Sequence, residues 1–172
     1  PTMHAMNSEG RSFKGCLYFG LMLTPNGPKV IEYNCRFGDP ETQVVLPLLK
    51  TDLLTVMQAV TNGTLDEINV EFKDESACCV IVASGGYPSS YKKGYKIKIS
   101  DEVMDNVYVA GAAVKDGKLV TSGGRVLGVT ATAKDLKTAI DSAYAMVEGV
   151  EFENAFHRSD IGARALKAIK ED

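Results

Sequence analysis

Pro25-Asn26-Gly27-Pro28 limits the folds open to this chain more than any other four residues. Proline fixes φ and lacks an N–H, and Asn-Gly favours a tight turn, so no regular element passes through this segment. Before it lies the apolar run 15–23, which reads as a strand buried on both faces. After it comes a second strand, 29–37. Strands joined by so short a turn pair antiparallel, as a hairpin.

A helix is predicted directly after the hairpin. Asp39 fits its N-cap and Pro40 its first position, with Glu41 at the positive end of its dipole. Pro47 should interrupt it. Thr51 is predicted to cap a further helix with Leu53, Leu54, Met57 and Val60 on its apolar face, and Asn62-Gly63 to stop it. Residues 1–10 read as the end of a helix closed by Gly10, so the chain is expected to begin inside an element of a longer protein.

Around residues 69–76 the composition turns charged, which marks a boundary. Strands are predicted beyond it at 78–83, 95–99, 107–114, 118–121 and 125–130, with turns at Gly85-Gly86-Tyr87-Pro88, Asp116-Gly117 and Ser122-Gly123-Gly124. Thr132 and Asp135 read as a capping box for a helix that buries Leu136, Ile140, Ala143, Tyr144 and Val147. A last helix spans 160–169, and Glu171 and Asp172 end the chain. The fold class is α+β, in two pieces, 1–73 and 74–172.

With 172 residues the chain holds one ordinary domain or two small ones. A hydrophobic share of 45% against 24% charged residues is that of a globular protein. A net charge of −3 gives no broad attraction to nucleic acid or acidic membrane. No run reaches the roughly 18 apolar residues of a membrane span, and residues 1–10 lack the pattern of a secretory signal. Cys16, Cys35, Cys78 and Cys79 show no CxxC spacing. They read as small hydrophobes, with a metal site or disulfide as the sharper alternative, and they point to a reducing cytoplasm.

The chemistry concentrates in the second strand. Glu32, Asn34 and Arg36 stand at i, i+2 and i+4, which on a strand is one face. A carboxylate and an amide are oxygen ligands that Mg²⁺ accepts beside water and phosphates, and a guanidinium can meet a phosphoryl group bidentately. The competing reading is a surface ion pair with Asn34 between its members, contributing about 0–1 kcal/mol. A helix N-terminus at Gly38-Asp39-Pro40-Glu41 would favour the anion site, although Asp39 also has a structural role as cap. Elsewhere, Gly85-Gly86 and Gly123-Gly124 lack a GxxxxGK[ST] context and read as turns. Tyr87, Tyr91, Lys92 and Lys93 read as a solvated loop rather than a nucleic-acid patch, and His157 as a surface residue. Arg158, Asp160 and Arg164 could line a cleft, with Asp160 as cap of the last helix in the other reading.

The run Glu32-Tyr33-Asn34-Cys35-Arg36-Phe37-Gly38-Asp39-Pro40-Glu41-Thr42-Gln43 resembles the metal-binding strand of the glycinamide ribonucleotide synthetases, the phosphoribosylamine–glycine ligases of purine biosynthesis. Phe13-Lys14-Gly15-Cys16-Leu17-Tyr18-Phe19-Gly20-Leu21-Met22-Leu23 resembles the strand before it. Ala83-Ser84-Gly85-Gly86-Tyr87-Pro88, Ser122-Gly123-Gly124-Arg125-Val126-Leu127 and Arg158-Ser159-Asp160-Ile161-Gly162-Ala163-Arg164-Ala165-Leu166 resemble that family's C-terminal domain, in the same order.

The resemblance implies the C-terminal part of an ATP-grasp domain at 1–73 and a small β-rich domain at 74–172. It implies an ATP-dependent carbon–nitrogen ligase: ATP phosphorylates glycine to glycyl phosphate, and the amine of 5-phosphoribosylamine displaces phosphate to give glycinamide ribonucleotide. Glu32 and Asn34 would hold Mg²⁺ or Mn²⁺ on the ATP phosphates, and Arg36 would stabilise the transferred phosphoryl group. Asp39, Glu41, Arg158 and Asp160 would contact substrate. Many ATP-grasp enzymes place an acidic ligand on the preceding strand, but 15–23 has none. The family's substrate domain and ATP-clamping lysine strands belong before Pro1. The expected partner is therefore the missing N-terminal part of the same polypeptide, and the chain alone is expected to be inactive. Neither nucleic acid nor membrane is expected as a partner. Alternatives are a non-catalytic nucleotide- or phosphate-binding module, or another ATP-grasp ligase of purine synthesis.

Overall fold

The computed structural model describes residues 1–171. Asp172, read above as the plain end of the chain, lies outside them. The architecture is α+β, in two compact units. One comprises Pro1–Thr42 and Leu49–Phe72, the other Gln43–Leu48 and Lys73–Asp172. The division falls beside the charged stretch, but residues 43–48 group with the second unit, so no single cut separates the two.

In the first unit α1 (Thr2–Ser8) stops at Glu9, and Gly10 takes a left-handed φ of 69°. The strands β1 (Tyr18–Thr24) and β2 (Gly27–Asn34) form the expected antiparallel hairpin. Thr24 closes its turn: the hydroxyl donates to the Gly27 carbonyl at 2.7 Å and accepts the Asn26 N–H at 3.2 Å. Gly20 stands opposite Glu32 and Leu21 opposite Val30, so Ile31 is an extra, bulged residue. Opposed residues share a face. Tyr18, Gly20, Glu32 and Asn34 therefore make one face; Phe19, Leu21, Val30 and Tyr33 make the other. Without the bulge Val30 would join Glu32, because one residue of slip reverses every side chain beyond it. The second face holds Phe19 edge-on to Tyr33 at 5.1 Å and meets α1 through Thr2 Oγ1, 3.4 Å from the Tyr33 hydroxyl.

Burial of β1 on both faces does not occur among the described residues. Leu21 is 50% exposed, Met22 53% and Leu23 81%. A two-stranded ribbon has two faces to bury, and α1 reaches only part of one.

The segment after the hairpin also departs from expectation. The short helix α2 (Thr42–Val45) starts two residues later than predicted, so Asp39 is not an N-cap and Pro40 is not its first residue. The Gly38 carbonyl takes the Thr42 N–H at 3.0 Å and the Thr42 hydroxyl as well, which leaves Asp39, Pro40 and Glu41 in the turn between. Pro47 ends α2 as predicted, within a 3₁₀ turn at Leu46–Leu48. Asp52, rather than Thr51, caps α3 (Leu53–Asn62), accepting the Thr55 N–H at 2.8 Å. Thr51 is occupied elsewhere: its hydroxyl donates to the Asn69 carbonyl and accepts the Glu71 N–H. The helix buries Ala59 and half-buries Leu53, Val56 and Val60, while Leu54 and Met57 face out. Gly63 ends it with φ 77°.

The second unit contains β3 (Ser76–Ser84), β4 (Lys98–Ile99), β5 (Val107–Val109), β6 (Ala112–Lys115), β7 (Lys118–Thr121), β8 (Arg125–Ala133), α4 (Leu136–Val147), β9 (Val150–Glu151), β10 (Ala155–Phe156) and α5 (Ala163–Glu171). An antiparallel sheet runs β10-β3-β8-β5, beside the small ribbons β4–β9 and β6–β7. Val80 and Val82 of β3 pair with Val129 and Leu127 of β8 and present one face to α4. Ala139 and Ala143 meet that face with no side-chain bulk to hold the helix off, and both are 0% exposed.

Asp135 itself caps α4 by accepting the Thr138 N–H at 2.8 Å. Thr132 lies in β8 opposite Ala77, so the expected capping box gives way to sheet pairing. The predicted strand 95–99 shrinks to β4. The predicted strand 107–114 divides into β5 and β6, because the Gly111 carbonyl turns to accept the Ser122 and Gly123 N–H groups. The last helix begins at Ala163, so Asp160 does not cap it.

Candidate active site

β2 delivers Glu32 and Asn34 to the face of the hairpin away from α1. The Asn34 amide Nδ2 donates to Glu32 Oε1 at 3.0 Å. That bond ties the two groups together and leaves Glu32 Oε2 and Asn34 Oδ1 outside it as acceptors. Gly20, directly opposite, gives Glu32 its room: a Cβ at position 20 would lie 2.9 Å from Glu32 Cγ.

Arg36 does not share this face. β2 ends at Asn34, the chain bends through Cys35 and Arg36, and the guanidinium Nη1 donates to the Phe37 carbonyl at 2.9 Å. The i, i+2, i+4 argument therefore holds for two of its three residues. Glu41 folds back on the buried Gly38, where a Cβ would meet its Oε2 at 2.2 Å. Asp39 stands exposed in the same turn. The helix that follows is too short to supply the expected N-terminal anion site.

In the second unit Arg158 and Asp160 satisfy each other. Nε and Nη2 of the guanidinium donate to the two carboxylate oxygens at 2.7 and 2.6 Å. The guanidinium holds the Asp160 carboxyl below its usual range, and the carboxylate in turn raises Arg158. Both side chains face solvent, so the pair fixes the local geometry more than it adds stability. Tyr144 braces the same loop: its hydroxyl donates to the Arg158 carbonyl at 2.7 Å and accepts the Ile161 N–H at 3.0 Å. His157 lies beside the Tyr144 ring, with centroids 5.8 Å apart.

The two glycine pairs act in packing. A Cβ on Gly86 would strike the Ser90 carbonyl at 2.2 Å, and Gly124 lies under the Tyr87 ring. Lys93 stands 5.8 Å above the Tyr91 ring in an exposed loop.

Among the described residues no group of three or more His, Cys, Asp or Glu converges as a metal cage. An Mg²⁺ that keeps waters and substrate phosphates needs only one or two protein oxygens. Glu32 Oε2 and Asn34 Oδ1 meet that need. Gly20 is the residue that sequence reasoning missed. A glycine inside a strand signals a close approach by another group, and this one stands opposite the only acid in the hairpin strands.

Comparison with known protein families marks the chain as part of an ATP-grasp protein. Residues 1–42 match the family described as phosphoribosylglycinamide synthetase, ATP-grasp (A) domain, and residues 77–164 match phosphoribosylglycinamide synthetase, C domain. The chain belongs to the phosphoribosylglycinamide synthetase family. It is 51% identical to a phosphoribosylamine–glycine ligase of Caldanaerobacter subterraneus, over 95% of this chain and 39% of that protein. It is 49% identical to the trifunctional purine biosynthetic protein adenosine-3 of Gallus gallus, over 99% of this chain and 17% of that one. A crystal structure of phosphoribosylamine–glycine ligase from Thermotoga maritima resembles it with a TM-score of 0.82 and 38% identity, covering 92% of this chain and 39% of that chain. The chain thus spans well under half the length of these relatives. Among the described residues no helix is long and apolar enough to cross a membrane.

Proposed function

We propose that this chain is the C-terminal part of an ATP-dependent carbon–nitrogen ligase that joins glycine to 5-phosphoribosylamine in purine biosynthesis. Residues 1–73 complete an ATP-grasp domain, 74–172 form the C-terminal domain, and an N-terminal part of the same polypeptide supplies the remainder of the ATP site. The observation that carries this reading is the oxygen pair of Glu32 and Asn34, set on a strand within the segment that matches the ATP-grasp domain.

In the proposed reaction a glycine carboxylate oxygen attacks the γ-phosphorus of ATP and ADP leaves, giving glycyl phosphate. The amine of 5-phosphoribosylamine then attacks the acyl carbon, phosphate departs with the bonding pair, and the nitrogen loses a proton. Glu32 Oε2 and Asn34 Oδ1 would hold Mg²⁺ or Mn²⁺ beside the phosphates, and the ion would supply neutralisation of charge on the transferring group. Arg36 exchanges the Phe37 carbonyl for the phosphoryl oxygens and stabilises the charge that builds there. Asp39 and Glu41, in the turn beyond Gly38, contact substrate, as do Arg158 and Asp160.

The test measures ADP and glycinamide ribonucleotide formed by the intact protein. Steady-state formation of ADP should require glycine and phosphoribosylamine together. Glu32→Gln and Asn34→Ala should each lower turnover by about 10²-fold or more with the fold retained. The 172-residue chain alone should form no product. Unchanged turnover in both variants overturns the metal assignment, and ATP binding without turnover in the intact protein favours a binding module.

A further inference from the structure

Gly20 has a feature that hairpin formation alone does not require. Its φ lies outside the left-handed range, so its backbone conformation is open to any residue. A glycine inside a strand forfeits side-chain packing and costs conformational entropy. What this position uses is the missing side chain. Glu32 Cγ occupies the volume that a Cβ at position 20 would take, with only 2.9 Å between them. The Cγ position is set by χ1 alone, so relief requires a different χ1 rotamer, and the whole carboxylate would swing with it. The bulge at Ile31 completes the arrangement, because it brings Glu32 rather than Ile31 opposite the glycine.

We infer that Gly20 is a positioning residue: its empty side-chain volume is the slot that holds Glu32 against Asn34, so that Oε2 and Oδ1 address one divalent cation. The inference rests on the ligase reading above and deepens it. A Cβ here leaves both ligands in the chain but separates their oxygens.

The probe is Mn²⁺ with ATP on the intact protein, read by water-proton relaxation enhancement, with folding followed by circular dichroism. Gly20→Ala should raise the apparent dissociation constant of Mn²⁺–ATP by about tenfold or more, as loss of ligand orientation does. Its turnover should recover as Mn²⁺ is raised, whereas that of Glu32→Gln should not. In a Glu32→Ala background, which has no Cγ, adding Gly20→Ala should not weaken Mn²⁺ binding further and should not lower the melting temperature, since alanine suits a strand better than glycine. Wild-type affinity in Gly20→Ala alongside weakened binding in Glu32→Gln overturns the slot and leaves the metal reading standing. Wild-type affinity in Glu32→Gln overturns the metal reading and the slot with it. If Gly20→Ala unfolds while Gly20→Ala/Glu32→Ala folds, the steric slot is supported; if both unfold, it is overturned.

Discussion

Asp52 and Asp135 start their helices by the same device. Each carboxylate accepts the backbone N–H three residues on, and then the hydroxyl of that same threonine. These bonds are stronger to the charged form, so both carboxyls lie below their ordinary value, the backbone bond being the larger cause. A carboxyl lowered by folding binds fewer protons in the folded chain than in the unfolded one. Its contribution is therefore complete above the unfolded value and is lost as pH falls through the folded one. Asn caps a helix about as well as Asp and does not titrate. Asp135→Asn should leave the urea midpoint unchanged at about pH 7 and make the loss between about pH 5 and pH 3 smaller. An acid limb identical to that of the wild type would refute this role. The same residue scale explains why Asp39 misled: Asp-Pro-Glu has the composition of a helix start, but the Gly38 carbonyl takes the Thr42 N–H and delays the helix past all three residues. Cap chemistry is legible in sequence, whereas competition among neighbouring carbonyls is not.

At the scale of elements, β8 and α4 carry the core. Leu127 is fully buried in a sheet strand flanked by β3 and β5, and it belongs to the cluster that includes Ala139 and Ala143. Leu127→Ala should destabilise the second unit by about 3 kcal/mol, because the alanines facing the sheet have no side chains that can close the cavity. Denaturant unfolding followed at the Tyr signals checks this, and a loss of under about 1 kcal/mol would contradict the packing. The patterns that mark these elements were plain: the strands at β3 and β8, the Asp116-Gly117 turn and the apolar stripe of α4 all survive in the structure. Legibility failed where a strand ends through tertiary contact. β5 and β6 separate because Gly111 packs against Gly123, a contact between residues far apart in sequence. Arg36 left its predicted face for the related reason that β2 stops at Asn34. Glu32 and Asn34 could be read from spacing, since both fall inside a strand; their glycine partner required the register.

Across the whole chain the two units bury their residues very differently. In β8 the run Val126–Ala131 is buried without a break, and β3 holds Val80 and Val82 at 1% exposure or less. In the β1–β2 hairpin the apolar side chains of Phe19, Leu21, Met22, Leu23, Val30 and Ile31 are exposed in large part. Hydrogen bonds in a ribbon so placed open locally, at a cost well below that of global unfolding, whereas those of a buried central strand open only when the unit unfolds. Amide exchange on the 172-residue chain should therefore run faster in β1 and β2 than in β3 and β8, by about 10² or more, given that each 1.4 kcal/mol of opening free energy is tenfold. In the intact protein the hairpin amides should slow, if the proposed N-terminal part covers these apolar side chains as an ATP-grasp domain requires. Equal protection of hairpin and central strands in the 172-residue chain at micromolar concentration, persisting on dilution, would mean that the chain already covers its own hairpin. The exposed apolar ribbon would then cease to argue for a longer polypeptide.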